Sequence, residues 1–108
     1  MPSLSTKNSP EQSASDLGRR VKRARLAYRE GNKKLDKHDA AGAVASYQEA
    51  LRAYPLYVAG HRGLGLAYTQ LKDSAKALAE FKAYVKAAPT AKDAELIKKV
   101  IAKLEKDS

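Results

Sequence analysis

Two histidines and a group of glycines are the residues of this chain whose types could carry chemistry. His38 stands with Asp36 and Asp39, three side chains of kinds that ligate metal ions. Asp and His are common turn residues, and no second cluster lies elsewhere to complete a coordination sphere, so the group reads as a turn and no metal is expected. His61 has no Ser, Cys or carboxylate at a sequence spacing that would make it a base with a partner. It reads as a packing or edge residue. Gly60, Gly63 and Gly65 lie inside a helical pattern, whereas a phosphate-cradling loop needs its glycines between a strand and a helix. The chain has no Cys, so a thiolate nucleophile, a thiolate zinc site and a disulfide framework are all unavailable. The residue types indicate no enzyme and no cofactor.

What remains is charge. The 108 residues carry 21 Lys and Arg against 12 Asp and Glu, a formal net charge of +9. Residues 19–38 alone sum to +7, residues 39–71 to zero. The run Arg19, Arg20, Lys22, Arg23, Arg25 and Arg29 would attract nucleic acid, an anionic surface or an acidic protein segment, and it would serve equally as a solvated helix face.

These residues need elements to position them. No apolar run approaches the length of a membrane span, and the opening MPSLSTKNSPEQSASD has no apolar core. A soluble, cytoplasmic protein is therefore expected. Residues 1–14, rich in Ser, Asn, Pro and Gln, bury too little apolar surface to order themselves and read as a disordered segment or linker. The rest suffices for one small domain.

Shifting the sequence by 34 residues aligns Gly31 with Gly65, Asp39 with Asp73, Ala43 with Ala77, Tyr47 with Phe81 and Pro55 with Pro89. Helical stripes support the same units. Leu17, Val21, Ala24, Tyr28, Gly31 and Leu35 recur at steps of four and three. Asp39 is a natural N-cap for Ala43, Val44, Tyr47, Leu51 and Tyr54, a stripe that Pro55 ends. A third stripe is Leu64, Ala67, Tyr68 and Leu71. Asp73 or Ser74 caps a fourth with Ala77, Leu78, Phe81 and Val85, and Thr90-x2-Asp93 opens a fifth with Ile97, Val100, Ile101 and Leu104. The spacing predicts five antiparallel helices near 15–37, 40–53, 57–71, 74–87 and 91–106. Gly31 and Gly65 should make room for Ala43 and Ala77 where the helices of each pair meet. Tyr84 should pack on the last helix.

The 34-residue period, with His61-x2-Leu64-Gly65-x2-Tyr68, Ala77-x3-Phe81 and Pro89 in the second copy and Gly31, Ala43-x3-Tyr47-x2-Ala50 and Pro55 in the first, resembles the tetratricopeptide repeat. His61 stands where the family pattern has Trp, and Glu30 and Lys34 replace its Leu and aromatic in the first copy. The resemblance implies an all-α fold, a short α-solenoid over residues 15–108: repeat one at 24–57, repeat two at 58–91 and a capping helix at 92–106. It also implies a partner-binding concave groove lined by the first helix of each repeat. The residues it places there are Arg25, Tyr28, Arg29, Asn32 and Asp36, with Arg62, Leu66, Thr69 and Gln70. Arg29-Glu30-Gly31-Asn32-Lys33 is similar to the opening repeat of family members that clamp a terminal carboxylate. Here Tyr28 replaces the clamp's Lys, Gly63 its second Asn, and Asp93 and Ile97 its basic pair. A groove with three arginines, an aromatic ring and an amide should prefer extended, acidic peptide segments. The expected function is thus a protein-interaction adaptor or scaffold. The alternatives are nucleic acid or an anionic surface on the basic helix, or self-assembly.

Overall fold

The computed structural model describes residues 10–107. Five helices follow one another: α1 (Pro10–Asp36), α2 (Ala40–Ala53), α3 (Ala59–Gln70), α4 (Ser74–Ala87) and α5 (Ala94–Asp107). Each packs on the next, and α1 also lies against α3. Among the described residues there is no strand. The expected disordered segment falls partly outside this range: residues 1–9 are not among the described residues, while 10–14 belong to α1. Proline suits a first helical position because its missing N–H would be unpaired there anyway.

The two hairpins are built alike. At the end of α1 the N–H of Asp39 reaches the Lys34 carbonyl (2.8 Å) and that of His38 the Leu35 carbonyl (2.9 Å). At the end of α3, 34 residues on, Asp73 reaches Tyr68 (2.9 Å) and Lys72 reaches Thr69 (3.1 Å). This is the Schellman arrangement, which requires a left-handed residue. His38 (φ 62) and Lys72 (φ 64) supply it without glycine, at a steric cost of about 1–2 kcal/mol each. Asp39 and Asp73 then cap the next helices, accepting from the N–H of Gly42 and of Lys76. The Asp36–His38–Asp39 turn is therefore a helix connection in which Asp39 is already committed.

The core alternates small residues with two rings. Ala43 and Ala77 are fully buried, as are the side chains of Tyr47 and Phe81, each ring contributing about 1.5–3 kcal/mol by leaving water. The atoms nearest to the space over Gly31 and Gly65 belong to these rings. A Cβ on Gly31 would come 2.6 Å from Tyr47 Cε1, and one on Gly65 2.5 Å from Phe81 Cε1. A Cβ on Gly63 of α3 would likewise come 2.5 Å from Tyr47 Cε1. The residue 34 positions beyond Gly63 is Ile97, buried in one cluster with Phe81, Ala77 and Tyr84. Helix α5 thus fills for the second repeat the place that α3 fills for the first.

The start of α5 and the packed extent of α1 differ from expectation for physical reasons. The chain after Pro89 makes successive turns, Ala91 N–H to Ala88 carbonyl and Ala94 N–H to Ala91 carbonyl, so Thr90 caps nothing and α5 starts at Ala94. The stripe on α1 outruns its partner: Ala24 is fully buried beside Ala50 and Ala53, but Leu17 is 46% exposed. Helix α2 ends at Ala53, and Arg20 Nε donating to the Ala53 carbonyl (3.1 Å) marks the end of the packed region.

Candidate functional site

The face of α1 turned toward α3 carries an aromatic cluster. Tyr28 lies against Tyr47 on one side and Tyr57 on the other, both at 5.6 Å between ring centroids. Tyr57 belongs to the turn before α3 and escaped the sequence reading, because no repeat arithmetic relates it to Tyr28. Burial raises its hydroxyl pKa first and Tyr28 adds to that, while the charges of Arg25 and Arg29 pull it back down. Both charges thus act on this hydroxyl. Arg25 and Arg29 are exposed, and among the described residues neither has a hydrogen-bond or ion-pair partner.

Asn32 is half-buried, and its Oδ1 accepts the Tyr47 hydroxyl at 2.5 Å. Burial, then Tyr28 and Asp36, push that hydroxyl up to about 12 against a smaller opposite pull from Arg62. Tyr28, Asp36 and Arg62 thus all act electrostatically on the Tyr47 hydroxyl that Asn32 binds. Asp36 itself is exposed at the last turn of α1.

On α3 the expected residues fare differently. Arg62 is not a free cation: its Nε donates to Asp93 Oδ2 at 2.5 Å, with the two side chains 34% and 26% exposed. Burial alone would lower the Arg62 pKa, but the Asp93 hydrogen bond and charge raise it. The other carboxylate oxygen of Asp93 accepts the Tyr84 hydroxyl at 2.6 Å. The Tyr84 and Arg62 bonds together hold the Asp93 pKa below its usual value, against the opposing effect of burial. Tyr84 meets the last helix as expected, through its ring beside Ile97 and its hydroxyl on Asp93. Leu66 is half-buried against the second core cluster. Thr69 is turned back on its own helix, donating to the Gly65 carbonyl (2.8 Å), and Gln70 Nε2 reaches the Leu35 carbonyl (3.4 Å), tying α3 to α1.

His61 has a partner after all: its Nδ1 lies 2.8 Å from Glu80 Oε1 on α4. The 19-residue separation hid it, because only the hairpin brings the two helices together. The upstream basic run is partly spent, with Arg19 paired to Asp16 and Arg20 on the Ala53 carbonyl. Lys22 and Arg23 remain exposed.

The described surface holds no enclosed pocket, and no three His, Asp or Glu side chains gather there as a metal would require. No described helix is long and apolar enough to cross a membrane. The arrangement is an open face with two exposed guanidinium groups and tyrosine rings that meet tilted and edge-on, and guanidinium forks suit carboxylates. Comparison with curated proteins and with solved structures found no match. The family model of the tetratricopeptide repeat matches residues 28–92, more than half of the chain and the stretch from the last turns of α1 through α4, and the chain belongs to this family of repeats, which serve generally in protein–protein interaction.

Proposed function

We propose that this chain is a non-enzymatic adaptor that holds an extended, acidic peptide segment along the face shared by α1 and α3. The observation that supports it best is the pair Arg25 and Arg29, exposed and, among the described residues, without a hydrogen-bond or ion-pair partner, with both charges acting on Tyr57 of the Tyr28–Tyr57 ring pair. A guanidinium offers a planar fork of donors to a carboxylate, and neighbouring rings supply apolar area at little entropic cost. Asn32 has its side-chain NH2 left to offer a peptide carbonyl, since only its Oδ1 is engaged. Arg62, Leu66, Thr69 and Gln70 form the far side of the same face. They shape it more than they contribute charge, because Arg62 is neutralised by Asp93.

Fluorescence anisotropy with labelled hexaglutamate tests this reading, with a Gly-Ser peptide of equal length as control. The double variant R25E/R29E should lose at least tenfold in affinity. K22E/R23E changes the net charge equally but lies upstream, and should lose much less. Equal losses in the two variants would reduce the binding to bulk charge and end the proposal.

A further inference from the structure

Resting on the peptide reading above, the geometry points to Asp93 as a specificity residue of that face: by occupying Arg62 it keeps the α3 end neutral, so that this end refuses a carboxylate that Arg62 would otherwise take.

Three observations carry this. First, Asp93 immediately precedes Ala94, the first residue of α5, and its own carbonyl accepts the Ile97 N–H, which places it at the N-cap. Asp39 and Asp73, at the caps of α2 and α4, spend their carboxylates on the next helix. Asp93 does not. Both of its oxygens reach back, to Arg62 on α3 and Tyr84 on α4, forgoing a cap generally worth about 1 kcal/mol. Second, Arg62 stands 34 residues after Tyr28, the equivalent place on the second repeat. Its charge is felt by the Tyr47 hydroxyl, at the centre of the α1–α3 face. Third, Arg62 is the only Lys or Arg of α3, and Asp93 is the carboxylate that engages it.

A carboxylate bonded through one oxygen to a guanidinium and through the other to a phenol is what a bound acidic ligand would look like. The chain supplies it internally. An incoming acidic side chain must compete with a carboxylate that is already tethered and held by two hydrogen bonds, whereas a neutral or apolar residue meets no such competitor. The peptide is then read in two parts: acidic toward Arg25 and Arg29, neutral toward Arg62.

The test measures hexaglutamate affinity by fluorescence anisotropy on the full chain. D93N keeps the shape and the hydrogen-bond acceptor but removes the competing charge, and affinity should rise about tenfold. D93N/R62Q should return it to the parental value, and E95Q, an equal charge change on the exposed side of α5, should raise it less than twofold. If D93N loosens α5, Y84F serves instead: it frees one oxygen of Asp93 while keeping the ring, and should give a smaller rise that R62Q also cancels. A D93N gain no larger than that of E95Q, or one that persists in D93N/R62Q, overturns the proposal. Loss of binding in R25E/R29E without any gain in D93N leaves the acidic face standing and sinks this inference alone. A gain through Arg62 with R25E/R29E unaffected does the reverse.

Discussion

The ring of Tyr47 lies so close to the backbone of Gly63 that a methyl group there would fall 2.5 Å from Cε1, while a methyl group on Gly31 of α1 would fall 2.6 Å from the same atom. The ring has no room to yield, being fully buried between α1 and α3. Gly63→Ala should therefore destabilise the fold by about 1–3 kcal/mol through overpacking, although alanine is intrinsically the better helix former by about 1 kcal/mol. Urea denaturation measures it. Shrinking the ring with Tyr47→Leu should remove the penalty of Gly63→Ala, and additive costs in the double variant would contradict the close approach.

The second repeat gives a matching expectation with an internal control. Gly65→Leu and Ala77→Leu each force a larger side chain onto the Phe81 ring or its neighbours, and each should cost about 1–3 kcal/mol. Leu17→Ala removes apolar volume of a similar size, yet Leu17 is 46% exposed on the part of α1 that outruns α2. Its cost should stay within about 0.5 kcal/mol. Thermal melts showing Leu17→Ala as damaging as Gly65→Leu would mean that the upstream part of α1 is packed against something.

That contrast shows what the sequence reveals and what it hides. The 34-residue offset finds both hairpins, their Asp caps and the two rings, because equivalent residues obey equivalent local constraints. It compares equivalent places, not touching ones. So it pairs Gly31 with Gly65 but not Tyr47 with Gly63, and it sees neither Arg62 with Asp93, 31 residues apart, nor His61 with Glu80. Periodicity likewise orients the stripe from Leu17 to Leu35 without telling where the opposing helix stops. Arg25, Arg29 and Asn32 were legible through the resemblance to the repeat, as lining residues of its first helix. The engagement of Arg62 by Asp93 was not, because an aspartate ahead of a helix looks like an ordinary cap.

The Tyr47 hydroxyl gives an alkaline signature. Its pKa is raised from 10.0 to about 12 in the fold, by burial before any charge effect. A raised pKa contributes stability that is complete below about pH 10 and is lost as pH climbs through about 12. Phenolate absorbance should show a late tyrosine that ionises together with unfolding, and Tyr47→Phe should abolish this last phase. A Tyr47 phase coincident with that of exposed tyrosines would contradict the buried bond to Asn32.

At the acid end the sign reverses. Asp93 titrates below its reference value of 3.8, held down by the Tyr84 bond first and the Arg62 bond second. Its contribution is present above about pH 4 and disappears as pH falls through the lowered value. The parent should lose melting temperature across that window more steeply than D93N, so that the two curves converge at low pH. A constant gap between them down to pH ~2 would show that Asp93 acts through shape and not through its charge.

The remaining expectation concerns rates, and it separates the α1–α3 face from the basic run upstream of it. Lys22 and Arg23 are exposed and lie toward the projecting end of α1, where they steer an anion without gripping it. Stopped-flow binding of hexaglutamate should show K22E/R23E slowing association and flattening its salt dependence, with dissociation unchanged. R25E/R29E should instead speed dissociation, because the bonds it removes exist only in the complex. A generic DNA duplex provides the opposite ranking if nucleic acid is the ligand: each phosphate that the upstream cluster no longer neutralises would lower the salt slope by about 0.9. Tight duplex binding that survives R25E/R29E and collapses with K22E/R23E would replace the peptide-holding role with a nucleic-acid-binding one.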